Sequence, residues 1–175
     1  MNSVVIMGVA GCGKSSLGVA VAQQLGLPIV EGDDHHSAES LAKMQRGVAL
    51  LDADRAGWLA ELGLQLQKHP NGLVLTCSAL KRAYRDQLRS AAPGLYFVYL
   101  DISREQATAR VAARAASHFF SASLVDSQFA TLEVPTAEAG VLRVDPMRPI
   151  AELQAQVCSW LNKQSKENQL HKEQA

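Results

Sequence analysis

A glycine-rich segment near the start of the chain has the residue types and the spacing needed to hold a polyphosphate. It reads Gly8-Val9-Ala10-Gly11-Cys12-Gly13-Lys14-Ser15, which matches the pattern G-x-x-x-x-G-K-[ST], and Ser16 follows it. Glycines let the backbone curl so that amide N–H groups point at phosphate oxygens, and the helix that follows adds its positive dipole end. We predict that residues 8–16 bind ATP, with Lys14 on the outer phosphates and the Ser15 hydroxyl on Mg²⁺. Cys12 is expected to be a small loop residue and not a nucleophile.

A second group of reactive side chains follows the next apolar run of the chain, in residues 31–36, which read Glu-Gly-Asp-Asp-His-His. If the two runs are parallel strands, their carboxyl ends share one edge of the sheet, so these acids face the phosphate loop. Glu31 and Asp33 are two apart and point to the same side if the strand geometry persists as far as Asp33. We assign Glu31 to the metal and Asp33 to the proton of the attacking hydroxyl. The alternative is that Asp33, Asp34 or Ser37 caps the next helix, and among the acids we favour this role only for Asp34.

The chain around these segments alternates short apolar runs with helical patterns, which is typical of a parallel sheet with helices on both faces. Strands are predicted at residues 4–7, 28–31, 73–77, 96–100 and 141–144. Helices are predicted at residues 14–25, 37–45, 54–68, 79–90, 104–116 and 149–161. The prediction is a single α/β domain over residues 1–161, followed by a frayed polar tail at residues 162–175.

Composition and charge disfavour several classes of protein. The 175 residues include 17 Lys and Arg and 17 Asp and Glu, so the formal net charge is zero and no nucleic-acid partner is expected. A hydrophobic content of 47% is typical of a globular domain and not of a disordered chain. Three dispersed cysteines fit neither a disulfide framework nor a metal pair, which favours a reducing, cytoplasmic location. No apolar run approaches the ~20 residues that cross a bilayer, so no membrane partner is expected.

Among phosphate-loop proteins, the sequence favours a small phosphotransferase. A switch GTPase needs an Asn-Lys-x-Asp segment, which the sequence lacks, and the D-x-x-G match at residues 54–57 falls inside a helical pattern. A large motor ATPase is excluded by chain length. Residues 78–81 match the S-x-x-K pattern of serine acyl-enzymes, but the partner motifs of that chemistry are absent. Ser78 is therefore predicted to cap the helix that carries Lys81.

Several blocks along the chain carry a family resemblance. They are Gly32-Asp33-Asp34-His35-His36, Lys43-Met44-x-x-Gly47, Leu51-x-Ala53-Asp54-Arg55-x-x-Trp58-Leu59, Cys77-Ser78-Ala79-Leu80-Lys81 with Tyr84-Arg85-Asp86, and His118-Phe119-Phe120 leading to Ser127-Gln128-Phe129-x-x-Leu132-Glu133. Over residues 4–161 the chain thus resembles the small bacterial-type gluconokinases, although Ser117 and Ser121 depart from the family's lid. The resemblance implies a P-loop NTPase fold of the nucleoside-monophosphate-kinase type, a mobile lid at about residues 115–134, and commonly a homodimer. It also implies phosphorylation of D-gluconate at the 6-hydroxyl by ATP with Mg²⁺.

Gluconate is an anion whose reacting hydroxyl lies opposite its carboxylate, so its site needs a base near the terminal phosphate and a cation farther away. The candidates for that cation are Arg55, Lys81 and Arg85. An arginine suits the role because its planar fork grips a carboxylate in two places. The alternative for each of the three is an exposed helix charge. His36 and His118 are the other predicted substrate contacts.

Arg110 and Arg114 are four residues apart on one helical pattern and therefore share a face. They are predicted to bring positive charge over the nucleotide's transferring phosphoryl group, although a solvated helix face has the same spacing.

Two other functions stay open. One is a small-molecule kinase of the shikimate-kinase type, against which the Asp-Arg-x-x-Trp-Leu and Cys-Ser-Ala-Leu-Lys blocks count. The other is a catalytically silent nucleotide-binding regulator, against which Lys14, Ser15 and Asp33 count because all three are present.

Overall fold

The computed structural model describes residues 2–113 and 122–173, whose strands form one parallel sheet with β1 in the middle. The strands are β1 Val4–Met7, β2 Ile29–Glu31, β3 Val74–Cys77, β4 Tyr96–Leu100 and β5 Val141–Val144. Their order across the sheet is β2-β3-β1-β4-β5, and every neighbouring pair is parallel. The loop after β1 therefore opens at the carboxyl edge of the sheet, between its two neighbours β3 and β4. The α/β fold predicted from the sequence is confirmed.

Seven α-helices surround the sheet in the described part of the chain. They are α1 Lys14–Leu25, α2 Ala38–Gln45, α3 Asp52–Lys68, α4 Arg82–Ala91, α5 Arg104–Ala113, α6 Ala122–Thr131 and α7 Ile150–Glu173. A short 3₁₀ helix, Gly32–His35, directly follows β2. The predicted helical patterns correspond to α1–α5 and α7, whereas α6 lies in a segment for which the sequence predicts a lid without a helix.

The two faces of the sheet are buried against different helices, as the alternation of side chains along β1 shows. Val4 and Ile6 pack in one apolar cluster with Leu17 of α1 and Val157 of α7. Val5 and Met7 point the other way, into a second cluster that contains Leu62 of α3 and Leu88 of α4. Side chains alternate between faces with a period of two, so both faces of β1 are apolar. Burial of each such side chain stabilises the fold by about 1.5–3 kcal/mol, which makes the sheet a rigid base for its carboxyl edge.

The last helix shows that the predicted frayed tail is wrong for the described residues. Helix α7 runs on from Leu161 to Glu173, through Asn162 and the polar residues that follow it. Straight-chain residues such as Lys, Gln and Glu have high helix propensity, so this helix continues without an apolar face. Gln164 donates to Glu167 at 2.9 Å along its surface.

Helix α4 begins later than its sequence pattern predicts. Ala79 has a φ of +44°, a left-handed conformation, and Lys81 is extended, so the helix starts at Arg82. The prediction that Ser78 caps this helix is wrong, because Ser78 lies in the loop at the end of β3. None of the described helices is long and apolar enough to cross a membrane.

Candidate active site

The phosphate loop curls between β1 and α1 as its glycines predict. Gly13 has a φ of +100°, a left-handed backbone that favours glycine, and it immediately precedes the first turn of α1. Cys12 N–H donates to the Val9 carbonyl at 3.3 Å, and Lys14 Nζ donates to the same carbonyl at 3.1 Å. The side chains of Val9 and Cys12 are buried in the core, and burial raises the pKa of the Cys12 thiol. Cys12 is thus a neutral packing residue, as predicted.

A cavity opens above this loop at the carboxyl edge of the sheet. Several predicted ATP-binding residues line it, namely Ala10, Gly11, Gly13, Lys14, Ser15 and Ser16. Of the acids and candidate substrate contacts, it is lined by Glu31, Asp33, His36 and Arg55. The first N–H groups of an α-helix have no intrahelical acceptor, so the start of α1 presents donors for an anion at this position. The structure therefore brings the two predicted groups of reactive side chains into one site.

Glu31 lies directly beside the first turn of α1. The Ser15 hydroxyl donates to Glu31 Oε2 at 3.0 Å, and Thr76 Oγ1 donates to the same oxygen at 2.6 Å. Hydroxyl and carboxylate oxygens are the ligand types that Mg²⁺ prefers, and Mg²⁺ in kinases takes one or two carboxylates and completes its shell with phosphate and water. The described residues hold no cluster of three or more His, Cys, Asp and Glu side chains suited to a metal. The pair Ser15 and Glu31 fits a metal that arrives with its nucleotide.

Asp33 is held at the mouth of the cavity by the rigid start of the 3₁₀ helix. Gly32 N–H donates to Thr76 Oγ1 at 3.3 Å, and the Gly32 carbonyl accepts from Trp58 Nε1 at 2.7 Å. A Cβ on Gly32 would lie 2.2 Å from the Thr76 carbonyl oxygen, so only glycine allows β2 and β3 to approach this closely. The Asp33 side chain itself is 57% exposed and free to meet an incoming hydroxyl.

His36 forms part of the cavity wall. Its ring stacks on Trp58 with 4.2 Å between ring centroids, its side chain is 5% exposed, and its Nε2 lies 3.8 Å from Asp33 Oδ1. Burial lowers the pKa of His36 despite the opposing effect of Asp33, so the ring is neutral at pH 7. Within the described residues, buried His36 Nδ1 has no hydrogen-bond partner. A neutral ring of this kind suits a hydroxyl-bearing substrate.

Helix α2 is capped by Ser37 and not by Asp34. Ser37 Oγ accepts from Ser40 N–H at 3.1 Å, which is N-cap geometry, whereas Asp34 lies inside the 3₁₀ helix. The sequence prediction for Asp34 is wrong because Asp34 lies within the 3₁₀ helix Gly32–His35, which ends before α2 begins at Ala38.

Of the three cations considered for the substrate carboxylate, Arg55 is the one that lines the cavity. Its side chain comes from the first turns of α3, the residue is 7% exposed, and its Nη1 donates to the Leu50 carbonyl at 2.6 Å. Two acids close to it in sequence have other partners. Asp54 pairs with Lys43 at 2.6 Å, and Asp52 pairs with Lys81 at 2.7 Å. In residues 2–113 and 122–173 no carboxylate forms an ion pair with Arg55, and a buried guanidinium that lacks a carboxylate partner favours an anionic ligand.

Lys81 and Arg85 do not line this cavity, which counts against their predicted contact with substrate. Lys81 pairs with Asp52, which also accepts from the Tyr84 hydroxyl. Arg85 is fully buried, donates to the carbonyls of Ala79, Leu80 and Glu133, and pairs with Glu138. Both cations thus hold loops in place, because acids that are distant in sequence lie beside them in the fold.

Glu138 is the acid at the centre of this buried network. Burial by itself raises the pKa of Glu138, but hydrogen bonds from Arg85 and Arg89 outweigh it and lower the pKa overall. The carboxylate is therefore ionised at neutral pH and ties the chain after α6 to α4.

Arg110 lies on the other side of the phosphate loop. Its Nη1 donates to the Cys12 carbonyl at 3.4 Å and its Nη2 to the Pro146 carbonyl at 3.0 Å. It lines a second cavity, which shares Gly13 and Ser16 with the first. Its predicted place beside the nucleotide is compatible with this position. Arg114 and His118 fall outside the described residues, and so does most of the N-terminal half of the predicted lid.

Comparison with known proteins identifies the family of this chain. A family model described as an AAA domain matches residues 4–135. The gluconokinase of Gluconobacter oxydans is 45% identical over 144 residues, which are 81% of this chain and 80% of that protein. The thermosensitive gluconokinase of Escherichia coli is 39% identical over 159 residues, covering 89% and 84%. The chain belongs to the gluconokinase family. A crystal structure of a gluconokinase from Sinorhizobium meliloti is 41% identical, with a TM-score of 0.89 over 97% of both chains.

Four polar residues that line this gluconokinase-family site are not assigned to it by the sequence analysis, namely Thr76, Ser78, Ser127 and Gln128. Thr76 and Ser78 line the cavity from the end of β3, and Gln128 lines it from α6. Thr76 carries a detectable signal, since it is a polar residue near the carboxyl end of an apolar strand. Gln128 carries no such signal beyond its place in the Ser-Gln-Phe block, because its partner in the phosphate loop lies 118 residues away in the sequence.

Proposed function

We propose that this protein transfers the terminal phosphate of ATP to the 6-hydroxyl of D-gluconate, giving 6-phosphogluconate and ADP. The observation that carries the proposal is one cavity that combines a phosphate loop, an exposed carboxylate at Asp33 and the buried Arg55, which has no carboxylate partner among the described residues. These groups match a substrate with an alcohol at one end and a carboxylate at the other. The family membership of the chain supports the same activity.

The reaction is an in-line transfer in which positioning supplies most of the catalysis. The amides of the loop and Lys14 hold the outer phosphates of ATP. Asp33 accepts the proton of the attacking 6-hydroxyl, and Arg55 binds the carboxylate and fixes which hydroxyl reaches the phosphorus. Ser15 and Glu31 would hold Mg²⁺, which would neutralise phosphate charge there.

The nucleoside end of ATP is proposed to bind next to the phosphate loop. The second cavity lies beside Arg110, whose guanidinium is fixed by two carbonyls and presents a flat cationic face. We assign this cavity to the base and ribose of ATP, which puts the phosphates on the loop between the two cavities. The three cysteines are free and buried, which supports a reducing cytoplasm as the place of action. The homodimer implied by the family resemblance stays a prediction.

The activity is tested by measuring ADP release with a panel of acceptors. The panel contains gluconate, other sugar acids, shikimate and nucleoside monophosphates, each with Mg²⁺ and ATP. Gluconate is expected to give turnover far above the hydrolysis of ATP alone, and gluconamide, which lacks the charge, is expected to react poorly. Turnover with shikimate and not with gluconate would show that the substrate is a different hydroxylated acid. Absence of turnover with every acceptor would indicate a nucleotide-binding protein without kinase activity.

A further inference from the structure

A glutamine on α6 reaches across the cavity to the phosphate loop. Ala10 N–H donates to Gln128 Oε1 at 2.6 Å. Ala10 belongs to the segment predicted to present its amides to ATP, yet this amide already has a protein acceptor. The loop therefore uses one N–H to hold a side chain from another helix.

This hydrogen bond fixes which way the carboxamide of Gln128 faces. An amide N–H can only donate, so the group that meets it must be the oxygen and not the nitrogen of the side chain. Gln128 Nε2, with its two N–H groups, is consequently left free to donate. Among residues 2–113 and 122–173 it has no hydrogen-bond partner, and Gln128 lines the same cavity as Lys14 and Asp33.

The helix that carries Gln128 is held by other contacts. Leu124 is buried in a small apolar cluster with Met44 of α2 and Leu50, and all three residues line the cavity. Val125 of the same helix is fully buried in the main apolar cluster, whereas the exposed pair of Arg104 with Asp126 at 3.0 Å contributes little to stability. Because the apolar packing of α6 does not involve Gln128, a change at Gln128 is expected to leave the helix in place.

We propose that Gln128 is a further catalytic residue, which keeps Oε1 on Ala10 N–H and donates from Nε2 to the terminal phosphate of ATP. The proposal rests on the proposed function insofar as ATP is the donor. A donor placed in advance on an oxygen that gains charge during transfer lowers the barrier, and removal of one such donor costs about 10²–10³-fold in turnover. A neutral carboxamide adds this donor without an acidic proton or a competing nucleophile.

The experiment compares the affinities for ADP and for a non-hydrolysable ATP analogue, because only the analogue has the terminal phosphate. Gln128→Ala removes both hydrogen bonds without adding charge, and Gln128→Glu keeps an oxygen for Ala10 N–H while it replaces the donor by a negative charge. Asp126→Ala is the control, since it cuts an exposed contact on the outer side of the same helix. Both Gln128 variants are expected to bind ADP as the wild type does, to bind the analogue about tenfold more weakly, and to lose about 10²-fold in kcat.

A purely structural role for Gln128 gives a different pattern. It would weaken ADP and analogue binding together, or leave both unchanged, and Gln128→Glu would retain the turnover of the Asp126→Ala control; either result overturns the proposal. If the wild type binds both nucleotides but shows no gluconate-dependent turnover, the proposed function fails while the ratio of the two affinities still tests Gln128.

Discussion

Replacement of Asp33 by Asn is expected to lower kcat by about 10²–10⁴-fold, the range for loss of a general base. Asn keeps the size and the hydrogen-bonding shape of the side chain but cannot take a proton from the 6-hydroxyl. The affinity for ATP is expected to stay close to that of the wild type, because the phosphates are held by the loop and Lys14. Steady-state kinetics with gluconate, together with a direct measurement of nucleotide binding, separates the two effects.

Asp34→Asn is the matched control for this change. Asp34 is the next residue of the same 3₁₀ helix and loses the same charge, but it is not among the residues that line the cavity. Its turnover is expected to match the wild type. Equal turnover in the Asp33 and Asp34 variants would remove Asp33 as the base.

Replacement of Arg55 by Met is expected to raise the KM for gluconate by about 10²-fold, with a smaller effect on the KM for ATP. Loss of a buried charge-assisted hydrogen-bond pair to a carboxylate costs roughly 2–3 kcal/mol, and every 1.4 kcal/mol is tenfold in affinity. In the wild type, Arg55 Cζ lies 5.8 Å from the centre of the Tyr84 ring. Met has a volume similar to that of Arg, so the packing against Tyr84 is expected to be retained in the variant. Initial rates over a range of gluconate concentrations measure the effect.

Two further variants show whether geometry or charge at Arg55 matters. Arg55→Lys keeps the charge but loses the planar fork, so it is expected to fall between the wild type and Arg55→Met. Arg82→Met removes a charge from a side chain that is 71% exposed, and is expected to leave both KM values unchanged. A wild-type KM for gluconate in Arg55→Met would show that the carboxylate binds elsewhere.

The residues that the sequence places correctly are those whose neighbours follow from local rules. The loop from Gly8 to Ser15 is fixed by a contiguous pattern, and the contact of Glu31 with Ser15 follows because β1 and β2 lie in one parallel sheet. Their hydrogen bond spans only 16 residues. Strand and helix geometry is therefore enough to predict that an acid faces the start of α1.

The residues that the sequence misplaces depend on partners that no local pattern reveals. Arg55, Lys81 and Arg85 are all candidates for the substrate carboxylate in the sequence, and the fold distinguishes them by where it places acids. Asp52 meets Lys81 across 29 residues, and Glu138 meets Arg85 across 53. Arg55 is left without such a partner in the described part of the chain, which is a property of tertiary packing alone.

We expect one cavity to hold the terminal phosphate of ATP beside Lys14 and a sugar acid between Asp33 and Arg55. A crystal structure with a non-hydrolysable ATP analogue, Mg²⁺ and gluconate tests it most directly. We expect the gluconate 6-hydroxyl to lie within hydrogen-bond distance of an Asp33 oxygen, and the gluconate carboxylate to accept hydrogen bonds from the Arg55 guanidinium. Gluconate bound in the opposite direction, with its carboxylate beside the phosphorus, or an analogue whose phosphates lie away from the loop, would contradict it.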